Sequence, residues 1–179
     1  MSVVLVRHTR LAIAKSVCYG QTDCDVADSF PDDVLHVLPR IEPFDVLVTS
    51  PLTRCQKLAE EIATVFNVVP LIDERVQEMN FGAWEGKAWS EVPIPELDLW
   101  AGNFLHARPH GGESVAMFRA RVLEALQEFN GSKKRHTVVT HAGVIRVAMA
   151  PDQDQESFNH SVDYGGVVEL DFQKVQAND

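Results

Sequence analysis

Short runs of β-branched and other apolar residues alternate along this chain with segments whose apolar residues recur at helical spacing. The runs occupy residues 3–6, 45–49, 68–72, 137–140 and 166–172. Each run has the length of a buried strand and is too short for a stable helix. Strands that alternate with helices are typical of parallel sheets covered on both faces. The alternation therefore predicts an α/β fold, a three-layer sandwich with a mostly parallel central sheet flanked by helices.

Three segments between the runs carry the clearest helical signals. Pro51 suits the first turn of a helix, and apolar residues recur from there to Phe66 at near-helical spacing. Ser114 follows two glycines and is predicted to cap a helix with one apolar face. A shorter apolar helix is predicted at residues 144–150. Because no repeat, low-complexity tract or linker divides the chain, we expect residues 1–179 to form a single domain.

Residues suited to phosphate chemistry follow three of the predicted strands. Arg7 and His8 follow the first strand, Ser50 to Arg54 follow the second, and His141 follows the fourth. In open α/β sheets, ligands bind beyond the carboxyl ends of the strands. We therefore expect these distant residues to gather at one edge of the sheet.

Together these residues have the chemistry that phosphoryl transfer requires. A neutral imidazole nitrogen is a nucleophile toward phosphorus, and His8 is the candidate. Arg7 and Arg54 each offer a planar fork of donors to phosphate oxygens, and His141 can donate to the phosphoryl group in flight. Glu78 can protonate the leaving oxygen, provided that its surroundings keep the carboxyl protonated.

Taken one at a time, the same residues have ordinary structural explanations. A lone histidine at a strand end is more often structural than catalytic, and a single arginine there is usually a surface cation or a salt-bridge partner. Glu78 is one of 26 acidic residues and carries no signal alone. The remaining histidines considered are expected to face solvent or to cap chain segments: His106, His110, His136 and His160. A phosphate site is favoured because several of these residues lie together at the ends of predicted strands.

Metal and nucleotide sites have little support in the sequence. A metal site from His8 and His141 is disfavoured, because no carboxylate or thiol lies at a supporting spacing. The chain also has no GxxxxGK[ST] loop and no GxGxxG after a strand. We therefore expect neither a metal nor another cofactor.

The net charge of -10 restricts the partners of the protein. A nucleic-acid binder needs a basic face that displaces counterions from phosphates, and adhesion to anionic membrane needs a similar face. A single phosphate remains compatible, because at physiological salt the screening length is about 8 Å and hides distant carboxylates from a local positive site. We expect a small phosphorylated substrate, no nucleic acid and no membrane.

The N-terminus and the cysteines favour a cytoplasmic protein. The first apolar run ends at Val6, which is too short for the hydrophobic region of a signal peptide. No later segment approaches the roughly 20 apolar residues of a transmembrane helix. Cys18, Cys24 and Cys55 are odd in number and have no CxxC spacing, which disfavours a disulfide framework or a zinc ribbon.

Five motifs then appear in an order that resembles a known family. They are LVRHT (5–9), SPLTRCQKLAE (50–60), EMNFGAWEG (78–86), GGES (111–114) and VVTHAGVIR (138–146). Together they resemble the phosphoglycerate-mutase-like branch of the histidine phosphatase superfamily. CYGQTD (18–23) and the small size make the pattern most similar to the alpha-ribazole phosphatases of cobalamin biosynthesis.

The resemblance implies a role for each candidate residue in a single histidine-phosphatase-like domain. His8 becomes the phosphorylated nucleophile, with Arg7, Arg54 and His141 as the phosphate pocket. Glu78 becomes the acid for the leaving group. No metal is implied.

The resemblance also implies a phosphomonoesterase that acts on a small phosphate ester, with alpha-ribazole 5'-phosphate as a candidate. Hydrolysis is favoured over phosphoglycerate mutase activity, because mutases of this type usually carry longer segments that enclose the substrate. A phosphoprotein phosphatase and a non-catalytic phosphate-binding regulatory protein remain alternatives.

This chain departs from the family pattern at three places. Thr9 stands where most members have glycine, and its hydroxyl can bind the phosphate or the neighbouring turn. An asparagine usual in the next loop has no clear counterpart, so Tyr19, Gln21 or Thr22 takes its place in substrate binding. Residues 150–161 form a short polar segment where relatives carry a longer apolar helix and loop. The sequence therefore does not decide how this segment packs or whether it makes a homodimer contact.

The outer part of the pocket is expected to come from three aromatic-rich stretches. They are residues 18–22, the pair Trp84 and Trp89, and residues 100–110. These residues can flank a ring or a sugar, and they fit ordinary packing equally well.

Overall fold

Five strands build one sheet in the computed structural model, which describes residues 2–14, 16–150 and 155–170. The strands are β1 (Val3–Arg7), β2 (Val46–Thr49), β3 (Leu71–Ile72), β4 (His136–Thr140) and β5 (Val167–Leu170). Their order across the sheet is β3-β2-β4-β1-β5. All neighbours are parallel except β5, which runs antiparallel to β1. The prediction of a mostly parallel sheet is confirmed.

Helices cover both faces of this sheet. They are α1 (Phe30–Val37), α2 (Thr53–Phe66), α3 (Ile94–Gly102), α4 (Val115–Gly131) and α5 (Ala142–Met149). Successive strand residues face opposite sides. Val3 and Leu5 pack into a core with α4 and α5, whereas Val4 and Val6 pack into a second core with α1 and α2. The predicted three-layer sandwich is confirmed.

Several elements differ in detail from the prediction. The run at 68–72 forms a strand only over Leu71–Ile72, because Asn67 turns the chain in the left-handed region (φ 52°) and the Val68 N–H still bonds to the end of α2. Helix α2 begins at Thr53, so Pro51 precedes its first turn. Helices α1 and α3 were not predicted.

Two other expectations fall partly outside the described residues. The predicted last strand extends to residue 172, and the description ends at Leu170. Of the polar stretch 150–161, residues 151–154 are not described and residues 155–158 form a turn.

The register of the sheet brings three strand ends together. Arg7 pairs with Thr140, and Thr49 pairs with Val139. The ladder continues one residue further, since the His8 N–H donates to the Thr140 carbonyl at 3.0 Å and the Ser50 N–H donates to the Val139 carbonyl at 3.0 Å. His8, Ser50 and His141 therefore lie at one edge of the sheet. Within the described residues, no helix has the length and apolar character needed to cross a bilayer.

Candidate active site

His8 and His141 face each other at the carboxyl edge of the sheet. Their ring centroids lie 5.3 Å apart, and both side chains are almost fully buried. His8 Nδ1 is 2.8 Å from the carbonyl oxygen of Thr9. Because a carbonyl oxygen only accepts, Nδ1 carries the proton and Nε2 of the neutral ring carries the lone pair.

The surroundings keep both rings neutral. Burial, followed by the positive charge of Arg54, lowers the pKa of His8 from its ordinary 6.5 to about 3. Burial and Arg54 also lower the pKa of His141 well below 6.5, with a further contribution from His8. At neutral pH the pair therefore offers an uncharged imidazole as a nucleophile.

Arg54 is fully buried at the start of α2 and has no carboxylate partner. Its Nη1 donates to the Thr22 carbonyl at 2.9 Å, and its Nη2 donates to the Gly20 carbonyl at 2.6 Å. Its Nε donates to His141 Nδ1 at 3.3 Å, while Nε2 of that histidine is 2.8 Å from Ser50 Oγ. The ion pairs found among the described residues do not include Arg54. A buried guanidinium held only by neutral groups is an electrostatic site for an anion.

Arg7 and Thr9 add polar groups that lack partners. The Arg7 guanidinium lies 3.8 Å above the Tyr164 ring, and its Nη1 donates to the Val162 carbonyl. Arg7 Nε and Thr9 Oγ1 are buried and find no hydrogen-bond partner among the described residues. Buried polar groups are nearly always satisfied, so such a pair beside a candidate nucleophile indicates a place for a ligand.

Glu78 is fixed by backbone groups at the rim of the site. Its Oε1 accepts from the Met79 N–H at 2.9 Å, and its Oε2 accepts from the Gly143 N–H at 3.1 Å. Its carbonyl accepts from Gln21 Nε2 at 3.0 Å and from Arg121 Nη2 at 2.9 Å. The approach to α5 is so close that a Cβ on Gly143 would overlap the Glu78 carboxyl group.

A cavity of about 810 Å³ opens beside these residues. Arg7, Glu78, Tyr19 and Tyr164 line it, whereas His8, Arg54 and His141 are not among the described residues that do. The Tyr164 ring lies 5.6 Å from the His8 ring, and the Arg54 guanidinium lies 5.2 Å from the Tyr19 ring. Burial and the neighbouring Tyr164 raise the pKa of Tyr19. Each tyrosine thus lines the cavity and lies beside one residue of the buried pocket.

The remaining residues predicted to bind substrate do not all line the cavity. Tyr19 lines the cavity, and Thr9 is buried directly beside His8. Gln21 holds the Glu78 backbone, and Thr22 donates to the Glu85 carboxylate from both its N–H and its hydroxyl. Gln21 and Thr22 are therefore placed to position Glu78 and Arg54, outside the described lining of the cavity.

Sequence reasoning did not identify Tyr164 as a site residue. It lies in a loop 156 positions after His8 in the chain, and it reaches the site because β5 pairs with β1 and the Gly165 N–H donates to the His8 carbonyl at 3.1 Å. An aromatic residue in a polar loop carries no periodic signal that would have identified it.

Two of the histidines that were expected to face solvent or to cap chain segments are buried. His110 is 2% exposed and packs against Trp84 with ring centroids 4.7 Å apart, and its Nδ1 accepts from the Gly112 N–H. His136 is 5% exposed and stacks on Phe129 at 5.1 Å. Burial lowers the pKa of each. Neighbouring rings bury both side chains, which the sequence did not indicate.

The tryptophans divide between core and cavity. Trp84 is fully buried, donates from Nε1 to Glu96 at 2.6 Å, and does not belong to the described lining of the cavity. Trp89 and Trp100 do line it. All three cysteines are free, and the described residues contain no group of three or more side chains able to hold a metal ion.

The chain was compared with known proteins. Residues 3–178 match the Histidine phosphatase superfamily (branch 1). The chain belongs to this superfamily. Phosphoserine phosphatase 1 of Hydrogenobacter thermophilus is 34% identical over 59% of this chain and 52% of its own. Adenosylcobalamin/alpha-ribazole phosphatase of Escherichia coli is 29% identical over 65% of this chain and 60% of its own.

Solved structures show the same fold in this superfamily. The alpha-ribazole phosphatase of Shigella flexneri superposes with a TM-score of 0.81, at 24% identity, over 96% of this chain and 90% of that one. By sequence, this chain aligns with less than two thirds of the length of the two curated relatives named above.

Proposed function

We propose that the protein is a phosphomonoesterase that hydrolyses a small phosphate ester through a covalent phosphohistidine at His8. The observation that carries the proposal is the fully buried Arg54, which has no carboxylate partner and lies beside a neutral His8. An unpaired buried charge costs several kcal/mol, and a bound phosphate offsets that cost.

The first half of the proposed reaction forms the phosphoenzyme. Arg7 and Arg54 hold the phosphoryl oxygens, and His141 Nε2 exchanges its hydrogen bond to Ser50 Oγ for one to a phosphoryl oxygen. These contacts stabilise the charge that develops on the phosphoryl group. His8 Nε2 donates its lone pair to phosphorus, and the bond from phosphorus to the ester oxygen breaks. The carboxyl proton of Glu78 passes to that oxygen, so the leaving group departs as a neutral alcohol.

The second half returns the enzyme to its starting state. The Glu78 carboxylate accepts a proton from a water molecule while the water oxygen attacks phosphorus. The P–N bond breaks, its electron pair returns to His8, and inorganic phosphate leaves. Throughout, the hydrogen bond from Nδ1 to the Thr9 carbonyl holds the ring in the tautomer that keeps the lone pair on Nε2.

Among small phosphate esters, alpha-ribazole 5'-phosphate is the specific candidate that we propose. The CYGQTD motif and the alpha-ribazole phosphatases among its relatives support this substrate, and a role in cobalamin biosynthesis would follow. Phosphoserine is the alternative that another relative suggests.

Phosphate release from p-nitrophenyl phosphate, by wild type and by His8→Ala, tests the proposed activity. We expect steady turnover by wild type and a loss of at least about 1000-fold in the variant. Tight phosphate binding without turnover across a broad ester panel would instead indicate a regulatory phosphate-binding protein. Activity confined to phosphopeptides would indicate a phosphoprotein phosphatase, and phosphoryl transfer to a second substrate hydroxyl would indicate a mutase.

A further inference from the structure

One motif of the sequence takes no part in the proposed chemistry. GGES (111–114) ends at Ser114, whose hydroxyl accepts from the Met117 N–H at 3.1 Å and so caps α4. Glu113, the residue before it, forms an ion pair with Arg121, about two turns along that helix. Arg121 Nε donates to Glu113 Oε1 at 2.7 Å, and Nη2 donates to Oε2 at 2.8 Å. Two parallel hydrogen bonds of this kind fix the guanidinium plane as well as its position.

The remaining N–H groups of Arg121 all reach the segment that carries Glu78. Nη1 donates to the carbonyls of Arg75 and Gln77, each at 2.9 Å. Nη2 donates to the carbonyl of Glu78 at 2.9 Å. A guanidinium has five N–H groups, and here all five have partners. Arg121 therefore has no donor left for a phosphate, and it is not among the described residues that line the cavity.

Glu113 holds the same segment on the other side of Glu78. Its backbone N–H donates to the Asn80 carbonyl at 2.9 Å, and its Oε2 accepts from the Asn80 N–H at 2.9 Å. Residues 77–81 lie in neither a helix nor a strand, so the sheet does not fix them. Glu113 and Arg121 thus join an irregular loop to α4 on both sides of the proposed acid.

These contacts are suited to holding the loop precisely. The Arg121 and Glu113 side chains are 20% and 18% exposed, so water competes weakly for their hydrogen bonds. Gln21 adds one neutral hydrogen bond to the Glu78 carbonyl, at 3.0 Å. Precision matters for proton transfer, because a misplacement of about 1 Å can cost about 100-fold in rate.

Arg75 is a second arginine that is joined to α4, and it holds different groups. Its guanidinium forms ion pairs with Asp73, Glu124 and Glu128, of which the last two lie on α4. Its side chain is 27% exposed, close to the value for Arg121. Its side-chain hydrogen bonds go to those three carboxylates and to no group of the loop that follows. Arg75 therefore matches Arg121 in charge and exposure without holding Glu78.

We infer that Glu113 and Arg121 are positioning residues for the proposed acid: they hold the loop that carries Glu78, so that its carboxyl group reaches the leaving oxygen. The inference rests on the proposed phosphomonoesterase activity and on the assignment of Glu78. It gives the GGES motif a role in the proton-transfer step. Both residues act through the loop and make no contact with the substrate.

The test uses three esters that differ in their need for a proton. Ethyl phosphate must release a strongly basic alkoxide unless the leaving oxygen is protonated, phenyl phosphate releases a weaker base, and p-nitrophenyl phosphate releases a nitrophenolate that leaves without a proton. A displaced acid therefore slows the ethyl ester most and the p-nitrophenyl ester least. A purely structural defect lowers the amount of folded enzyme and slows all three by the same factor.

Arg121→Lys keeps the positive charge and removes the planar fork, because an ammonium has three donors and cannot bridge a carboxylate and three carbonyls. Per mole of folded protein, we expect kcat/KM to fall at least about tenfold for ethyl phosphate and less than about threefold for p-nitrophenyl phosphate. Arg75→Lys is the matched control and should leave kcat/KM for every ester within about twofold of wild type.

Glu113→Gln is a second, independent variant of the same pair. It keeps one acceptor oxygen and loses the two-pronged contact with Arg121, so the ratio of ethyl to p-nitrophenyl activity should fall at least about threefold. This variant tests the inference even if Arg121→Lys does not fold.

A double variant shows whether Arg121 acts through Glu78. Glu78→Gln has already lost the proton donor, so adding Arg121→Lys should lower kcat/KM for ethyl phosphate by no more than it lowers kcat/KM for p-nitrophenyl phosphate. A further loss confined to the ethyl ester in this background would show that Arg121 does not act through the acid.

The outcomes separate this inference from the proposed function. Equal losses on all three esters in the Arg121 and Glu113 variants, or no loss in either, would overturn the positioning role and leave the proposed activity intact. The additional ethyl-specific loss in the Glu78→Gln background would overturn it as well. Absence of wild-type turnover on every ester would overturn the proposed function itself.

Discussion

One hydrogen bond fixes the tautomer of the His8 ring, the proposed nucleophile. Its Nδ1 is tied to the Thr9 carbonyl, and burial with Arg54 keeps the ring uncharged. Histidine usually has a pKa near neutrality. Here the lowered pKa keeps the ring uncharged, so its lone pair is available at every pH near neutrality. The proposed reaction therefore requires that the pH dependence of the enzyme arise elsewhere than at His8.

The titration of His8 tests this electrostatic description. Because burial and Arg54 lower its pKa to about 3, its ring signals should stay constant from about pH 5 to 8 in an NMR titration. The same chain unfolded in urea is the control, since its histidines titrate near 6.5. A midpoint near 6.5 for His8 in the folded protein would contradict the description.

Glu78→Gln tests the assignment of the proton donor. An amide cannot protonate the leaving oxygen, so kcat/KM for an alkyl phosphate should fall at least about 100-fold. The loss for p-nitrophenyl phosphate should be below about tenfold, because a nitrophenolate leaves without a proton. Glu60→Gln, at an exposed position on α2, is the control. Equal losses on both esters would rule out Glu78 as the acid.

Helix α5 joins the proposed phosphate pocket to the proposed acid. His141 immediately precedes this helix, and the N–H of Gly143 in its first turn holds the Glu78 carboxylate. One short helix thus sets the distance between the phosphate pocket and the proton donor. The packing leaves no room for a side chain at Gly143.

Gly143→Ala should therefore displace Glu78 without abolishing the fold. We expect at least a tenfold loss of kcat/KM on an alkyl phosphate and a much smaller loss on p-nitrophenyl phosphate. Gly131→Ala, at the end of α4, is the matched control, because a Cβ there meets nothing within 4 Å. If the two alanine variants behave alike, the Gly143–Glu78 contact has no role in positioning the acid.

An element could be predicted where its buried residues form a clear apolar pattern in the sequence. β1, β2 and β4 are buried runs, and α4 has one apolar face, so all four were identified. In α3 no side chain is fully buried, and Ile94 and Leu99 are exposed, so no periodicity marks it. The 68–72 run is largely exposed and forms only a two-residue strand.

The site itself was predictable where it follows the sheet. Residues after parallel strands meet at one edge, which is why His8, Arg54 and His141 could be grouped from the sequence. Glu78 lies in an irregular loop and was identified with confidence only through the family resemblance. Tyr164 reaches the site through the antiparallel pairing of β5, and the family resemblance at VDYGG (162–166) gave it no role.

At the scale of the whole molecule, a positive site lies inside a negative envelope. The chain carries a net charge of -10, whereas Arg7 and Arg54 meet no carboxylate among the ion pairs of the described residues. The envelope disfavours polyanions and leaves a single phosphate group free to bind. The same burial that keeps the histidines neutral also makes the fold sensitive to acid.

Stability should fall as pH drops below about 6.5. His8 and His141 have lower pKa values folded than unfolded, so the unfolded chain binds more protons below 6.5. Above pH 6.5 neither ring lowers the free energy of unfolding. Between pH 6.5 and its folded pKa, each ring lowers that free energy by about 1.4 kcal/mol per pH unit. Urea unfolding at pH 7.5, 6.5 and 5.5 measures this, and His8→Gln should reduce the slope. A free energy of unfolding that is flat across the range would contradict it.

Trapping the covalent intermediate shows whether His8 is phosphorylated during turnover. Wild type is mixed with a ³²P-labelled monoester, quenched in alkali within the first turnover, and digested for mass spectrometry. We expect one labelled phosphoryl group per active site, stable to alkali and labile to acid, on the peptide that contains His8. Absence of label during active turnover, or label on another residue, would contradict it.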